Sequence, residues 1–164
     1  MSTPQQPHGI SAGVLLVELI MSADRLITAS EVAEAPATPD EWNSATILGH
    51  LLQVDEEVWI HRLEKLLAPD YVERYPQGLS FPWWEPDPVT TVNRFAHLDR
   101  ASVAADFLAM RTSLLMLLRG ATPEVWNLPW RHESRGELTL SDLILWILEH
   151  DEEHRASLLN LAKG

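Results

Sequence analysis

Cysteine is absent from the 164 residues, and with it go disulfide frameworks, thiolate nucleophiles and every cysteine-containing metal site. Any metal ion must then be held by nitrogen and oxygen. A chain without thiols also suits the reducing cytoplasm, which is the expected compartment. Positive charge is scarce: 12 Lys and Arg stand against 24 Asp and Glu, a formal charge of −12 that repels a phosphate backbone. Direct nucleic-acid binding is not expected, and a small molecule is the expected ligand. Long apolar runs are missing too. The longest, Val14 to Met21, is broken by Glu18, is too short to span a bilayer and follows no basic flank, so neither a membrane span nor a secretory leader is expected.

What is present is a globular composition, 46% hydrophobic and 22% charged, in a length that fits one domain over residues 1–164. Met1 to Gly9, with Pro4, Pro7 and little to pack, reads as a frayed lead-in. Apolar residues at Val14, Leu15, Val17, Leu19, Ile20, Leu26 and Ile27 predict a first helix, capped by Ser11 and ending near Ser30. Thr38-Pro39-Asp40-Glu41 carries the marks of a capped helix start and opens a second helix, about Glu41 to Ala68, through Ile47, Leu51, Val54, Val58 and Leu63. Five prolines between Pro69 and Asp99 break the next stretch, whose aromatic Phe81, Trp83 and Trp84 should pack across the bundle. Ser102 to Arg119 predicts a third helix stopped by Gly120. Thr122-Pro123-Glu124 suggests a single turn, Trp126 to Glu137 is irregular, and Thr139 caps a fourth helix with Asp142 in its first turn. With no credible strand, this is an all-α fold, a four-helix bundle with long connections.

Three histidines sit where the helical pattern calls for core. His150 and His154 are one turn apart on the stripe Leu143, Ile147, His150, His154, Leu158, Leu161, and His50 lies between Ile47, Leu51 and Val54. A buried neutral imidazole needs both a donor and an acceptor partner, which is costly three times over in one apolar core. Coordination of one divalent ion resolves the cost; hydrogen bonds to neighbouring carboxylates are the competing explanation.

The segment WNSATILGHLL, Trp42 to Leu52, followed by GELTLSDLILWILEHDEEHRASL, Gly136 to Leu158, resembles the DinB/YfiT-like superfamily. The order of the two motifs and the distance between them carry the resemblance. The resemblance implies a four-helix bundle whose second helix gives one histidine and whose last gives an HxxxH pair, together holding a divalent metal such as nickel or zinc. By position these are His50, His150 and His154. It also implies one of two chemistries, transfer of a low-molecular-weight thiol cosubstrate, slightly favoured, or hydrolysis, and it makes a homodimer plausible.

Three histidines leave a position open on the ion for water, a thiolate or a substrate oxygen. For hydrolysis a carboxylate serves as general base, and Glu153, Asp151 and Glu57 are the candidates. HDEEH lacks the glutamate directly after the first histidine that zinc proteases need, and a single Asp151-x-x-His154 cannot make a di-iron site. His61, eleven residues after His50, shares its azimuth but lies roughly 16 Å along the axis, too far to join the ion. His8, His97 and His132 are expected in solvent, although His132 could reach the site from its loop. Trp83, Trp84, Trp126 and Trp130 either anchor the core or line a pocket mouth, and Arg131, Arg135 and Arg155 read as surface charge. A noncatalytic, stress-related binding module with a structural or opportunistic metal is the competing function class.

Overall fold

The computed structural model describes residues 11–163, so the expected lead-in and His8 lie outside the described residues. Helix α1 spans Ala12–Val32 and is capped by Ser11, whose side chain accepts the Val14 N–H. Its inward stripe is Leu15, Leu19, Ala23 and Leu26, while Val14, Val17 and Ile20 point outward at more than half exposure. The helix is apolar on more than one side, and only the side turned to its neighbours is buried.

The second long helix begins three residues after the Thr38–Glu41 signature. That tetrapeptide closes one turn, Glu41 N–H to the Thr38 carbonyl, and α2 (Ser44–Val54) starts on Asn43 instead. Asn43 does two jobs that Thr38 does not: Oδ1 accepts from the Thr46 N–H and hydroxyl, and Nδ2 donates to the Ala96 carbonyl at 2.9 Å. A cap that also ties down another element outcompetes a purely local one. The helix runs on through a π turn, Asp55–Ile60, into α3, His61–Leu66, and stops at Leu67 before Pro69.

The proline-rich connection holds α4 (Tyr71–Arg74), strand β1 (Ser80–Phe81) and α5 (Pro88–Phe95), the last capped by Asp87 with proline in its first turn. Helix α6 (Arg100–Arg119) starts on Asp99 and ends at Gly120. By length and composition alone α6 could cross a membrane, but here it packs on α2 and α1 and carries a buried arginine between them. After a turn at Thr122–Glu124 and a short 3-10 segment, Val125–Asn127, come β2 (Trp130–His132) and β3 (Gly136–Leu138). Strands therefore exist where none was expected. β1 pairs parallel with β2, which pairs antiparallel with β3, in a three-stranded sheet too short to show as sequence alternation.

Helix α7 (Leu140–Ala162) opens with a full capping box, Thr139 accepting the Asp142 N–H while the Asp142 carboxylate accepts the Thr139 N–H at 2.7 Å. Helices α1, α2 to α3, α6 and α7 make the four-helix bundle, with α1 against α7 and α2 against α6 as the main pairings. Two apolar clusters fill it. One runs through Leu15, Leu63, Leu114, Trp130 and Ile147, the other through Leu26, Leu48, Leu51, Phe107 and Leu158. The polar centres of the molecule lie between the helices that these clusters hold apart.

Candidate metal centre

Helix α7 is the axis on which the site is built. His150 and His154, one turn apart, face α2, and Asp151, about 100° further round the helix, faces α1 and α6. From α2, His50 meets the pair with ring centroids 5.4 Å from His150 and 4.7 Å from His154. One ring nitrogen from each histidine lies within 4.8 Å of the others, and His150 Nε2 and His154 Nε2 are 3.1 Å apart. Two ligands at about 2.0 to 2.1 Å in a tetrahedral site stand roughly 3.3 Å from each other, so the His150–His154 pair, which is also within hydrogen-bond distance, has the spacing of donors sharing one small ion, and His50 joins them by a small side-chain movement.

None of the three histidines hydrogen-bonds a carboxylate among the described residues; the hydrogen-bonding contact they make is the one between His150 and His154. His50 is 8% exposed, and its Nδ1 has no partner among the described residues. Burial, then the charges of His154 and His150, pushes the His50 pKa down to about 3. His150 is pushed down to about 3 by burial, then by His154 and Arg111, and His154 is lowered by burial with Asp151 opposing. All three are therefore neutral at physiological pH, the state in which imidazole binds a metal. The donor set, its convergence and its orphaned buried nitrogen fit a divalent ion with at least one position left open.

That open side is a cavity of about 350 Å³. Trp42 packs on His50 at 5.2 Å, Trp59 stands edge-on to His150 at 6.5 Å, and Trp146 meets Trp59 at 5.4 Å. Trp83 and Trp84 from the proline-rich connection complete the mouth. Trp126 and Trp130 lie in the core, with the Trp130 indole N–H donating to the Thr139 carbonyl at 2.9 Å. The pocket reading thus holds for one pair of tryptophans and the core reading for the other.

The base candidates separate. Glu153 lines the cavity beside His154, joined by Glu85, which carried no signal in the sequence. Glu57 is excluded by position, since it lines a different cavity with His61 and Lys65. Asp151 is also excluded: it is 1% exposed and held by Arg111, Nη1 to Oδ2 at 2.8 Å and Nη2 to Oδ1 at 2.9 Å, with Ser22 donating to Oδ2 at 2.8 Å. Arg111 also grips Asp55, Nε to Oδ2 at 2.9 Å. Burial pushes Asp55 up to about 6 against the pull of Arg111. Burial alone would lower Arg111, but Asp55 and Asp151 together hold it above its usual value.

Two histidines also depart from expectation. His132 is buried at 2% rather than solvated, because β2 alternates and turns Trp130 and His132 inward together; it lines the cavity. His61 is exposed and off the His50 azimuth, and buried Arg62 takes the place facing the cavity. The π turn is the reason: a turn closed from i to i+5 holds about one residue more than an α turn and shifts all that follows by about 100°. Of the surface arginines, Arg135 lies over the Trp146 ring at 4.0 Å, while Arg131 and Arg155 form exposed ion pairs.

Three histidine donors from two facing helices, open to a tryptophan-walled cavity, define a helical bundle with a group able to hold one metal ion. The sequence model of the DinB superfamily matches residues 18–158, and the chain belongs to that superfamily. Among solved structures it is similar to YfiT from Bacillus subtilis, described as a probable metal-dependent hydrolase with an unusual four-helix bundle topology. That match has 18% identity and a TM-score of 0.67 and covers 97% of this chain and 95% of the other, so what it shows is the fold. No curated protein sequence matches the chain.

Proposed function

We propose that the protein is a divalent-metal-dependent enzyme acting on a small molecule, with hydrolysis as the leading reaction. The observation that carries this reading is the convergence of His50, His150 and His154 at one wall of an open aromatic cavity. Bound there, a divalent ion supplies Lewis acidity, which lowers the pKa of an incoming nucleophile and polarises the electrophile. The histidines hold it in their neutral form, and Glu153 is the carboxylate beside His154 placed to take the proton that the nucleophile gives up. The tryptophan walls bind the apolar part of the substrate and thin out the water around the reacting groups. The hydrolase description of YfiT supports the same choice.

A low-molecular-weight thiol could take the place of water, since the cavity has room for a second reactant and Glu153 would serve its proton equally. Metal analysis of protein purified without a tag, followed by assays of the loaded protein on esters and amides with and without added thiol, separates the readings. About one equivalent of nickel, zinc or a similar ion, lost in His150→Ala, with turnover independent of thiol, is the expected result. Turnover that requires thiol selects transfer. A protein that retains no ion even after reloading loses the enzyme reading, and the histidines revert to a noncatalytic role.

A further inference from the structure

Two arginines are buried in this bundle to nearly the same depth, Arg111 at 1% and Arg62 at 4% exposure. Arg111 spends its donors on two carboxylates. Arg62 has no acidic partner among the described residues: Nη2 donates to the Pro82 carbonyl at 3.2 Å, and Nη1 is buried with nothing to receive its protons. Burial pushes its pKa down only to about 10, so the group is charged at neutral pH. A buried cation without a counter-charge is costly, and the faces of Trp59, Phe81 and Trp146, each 5.4 to 5.5 Å from the guanidinium carbon, offset part of that cost. Ring faces cannot satisfy donors that lie in the guanidinium plane.

A second orphan lines the same cavity. His132 Nδ1 accepts the Ser134 backbone N–H at 3.2 Å, which places the ring proton on Nε2. That Nε2 is buried without a well-formed hydrogen bond among the described residues: the ring makes a marginal contact with the Pro82 carbonyl, an oxygen that already accepts from Arg62 Nη2. Arg62 is close enough to His132 to lower its pKa, after burial, so the imidazole is a neutral donor. Trp146 touches both groups, with its ring 4.8 Å from His132 and 5.5 Å from the Arg62 carbon, and Trp59 stands between Arg62 and His150.

Resting on the enzyme reading above, we propose that Arg62 Nη1 and His132 Nε2 form a carboxylate-binding subsite across Trp59 from the three histidines, so that the substrate is an amphipathic monocarboxylate. One cation and one neutral donor match the two oxygens of a carboxylate. A phosphate dianion would bring more charge than one guanidinium balances, in a cavity that also carries Glu85 and Glu153. The apolar body lies along Trp59 and Trp146, and the reactive bond reaches the histidines. Arg62 and His132 are thus positioning residues that fix which end of the substrate meets the metal centre.

The test uses 3-phenylpropionate and its neutral isostere 3-phenylpropionamide, titrated into full-length protein in EDTA and followed by calorimetry and tryptophan fluorescence. The acid should bind at least about tenfold more tightly than the amide, and Arg62→Met should abolish that preference. Should Arg62→Met fail to fold, His132→Phe, which keeps the ring and loses the donor, should reduce the preference about threefold. Equal affinities, no binding of either probe, or a preference that survives the variant that folds would overturn the subsite. A preference that arises only after metal loading would also overturn it, by placing the carboxylate on the ion, and would leave the metal reading intact. A preference in EDTA from a protein that never retains metal would keep the subsite and remove the enzyme.

Discussion

Two polar centres share helix α7, through the consecutive residues His150 and Asp151, and they are built on opposite plans. Asp151 enters a closed knot in which Arg111, Asp55 and Ser22 leave few donors or acceptors idle, deep among α1, α2 and α6. His150 and His154 enter an open cluster whose nitrogens face one another and a cavity. The first arrangement is complete within the chain; the second is complete only with something added. Burial of polar groups therefore does not by itself mark function; what sets the second centre apart is unpartnered donors gathered at the wall of a cavity.

The largest expected contrast comes from cutting each centre once. Arg111→Met leaves Asp55 and Asp151 buried without a counter-charge and should cost about 3 to 5 kcal/mol in urea unfolding. His150→Ala should leave the stability of metal-free protein within about 1 kcal/mol of wild type while weakening metal binding beyond the roughly 10- to 100-fold that loss of an outer partner costs. Equal stability losses in the two variants would mean that the histidines are structural after all.

Acid separates the centres by sign. The His50 and His150 pKa values lie at about 3 in the fold against 6.5 in the unfolded chain, so below pH 6.5 the unfolded state takes up protons that the fold refuses, and stability falls as pH drops. Asp55, raised from 3.8 to about 6, acts in the opposite sense: its contribution is full below 3.8 and is lost as pH rises through 6. With His154 also lowered, three histidines outweigh one aspartate. The urea midpoint of metal-free protein should fall between pH 7 and 5, and zinc should steepen the fall because its ligands must be neutral. A midpoint that rises instead would assign the dominant titration to the knot. The smallest change is Ser22→Ala, which removes one hydrogen bond from Asp151 while Arg111 keeps both its oxygens, for about 1 kcal/mol by thermal or urea unfolding.

The bundle and the histidine trio were legible in the sequence because both follow the helical period: His50, His150 and His154 sit in stripes that local spacing defines. What stayed hidden depends on contacts between distant segments. Arg111 falls within the helix-three pattern as an ordinary polar residue, and only Asp55 and Asp151, 56 and 40 residues away in sequence, explain its burial. Asn43 prevails over the stronger local signature at Thr38 through its bond to Ala96. His132 looks solvated next to arginine and glutamate until a three-residue strand, too short to read by alternation, turns it inward. Asp151 was a reasonable base candidate by sequence distance from His150 and fails because Arg111 and Ser22, from distant helices, hold it on the other side of α7, whereas Glu153 on the opposite flank lines the cavity.

The π turn at Asp55–Ile60 makes the length of this helix, and not just its composition, part of the specificity. Twelve residues of regular α-helix would carry Arg62 about 120° away from His50, and the one residue absorbed by the wide turn brings it back over the same face. Deleting a single residue within 55–60 would let the helix close regularly and swing Arg62 out of the cavity. Among related chains, gain or loss of one codon at this place is thus a one-step route to changing what the pocket accepts, with the histidines left where they are.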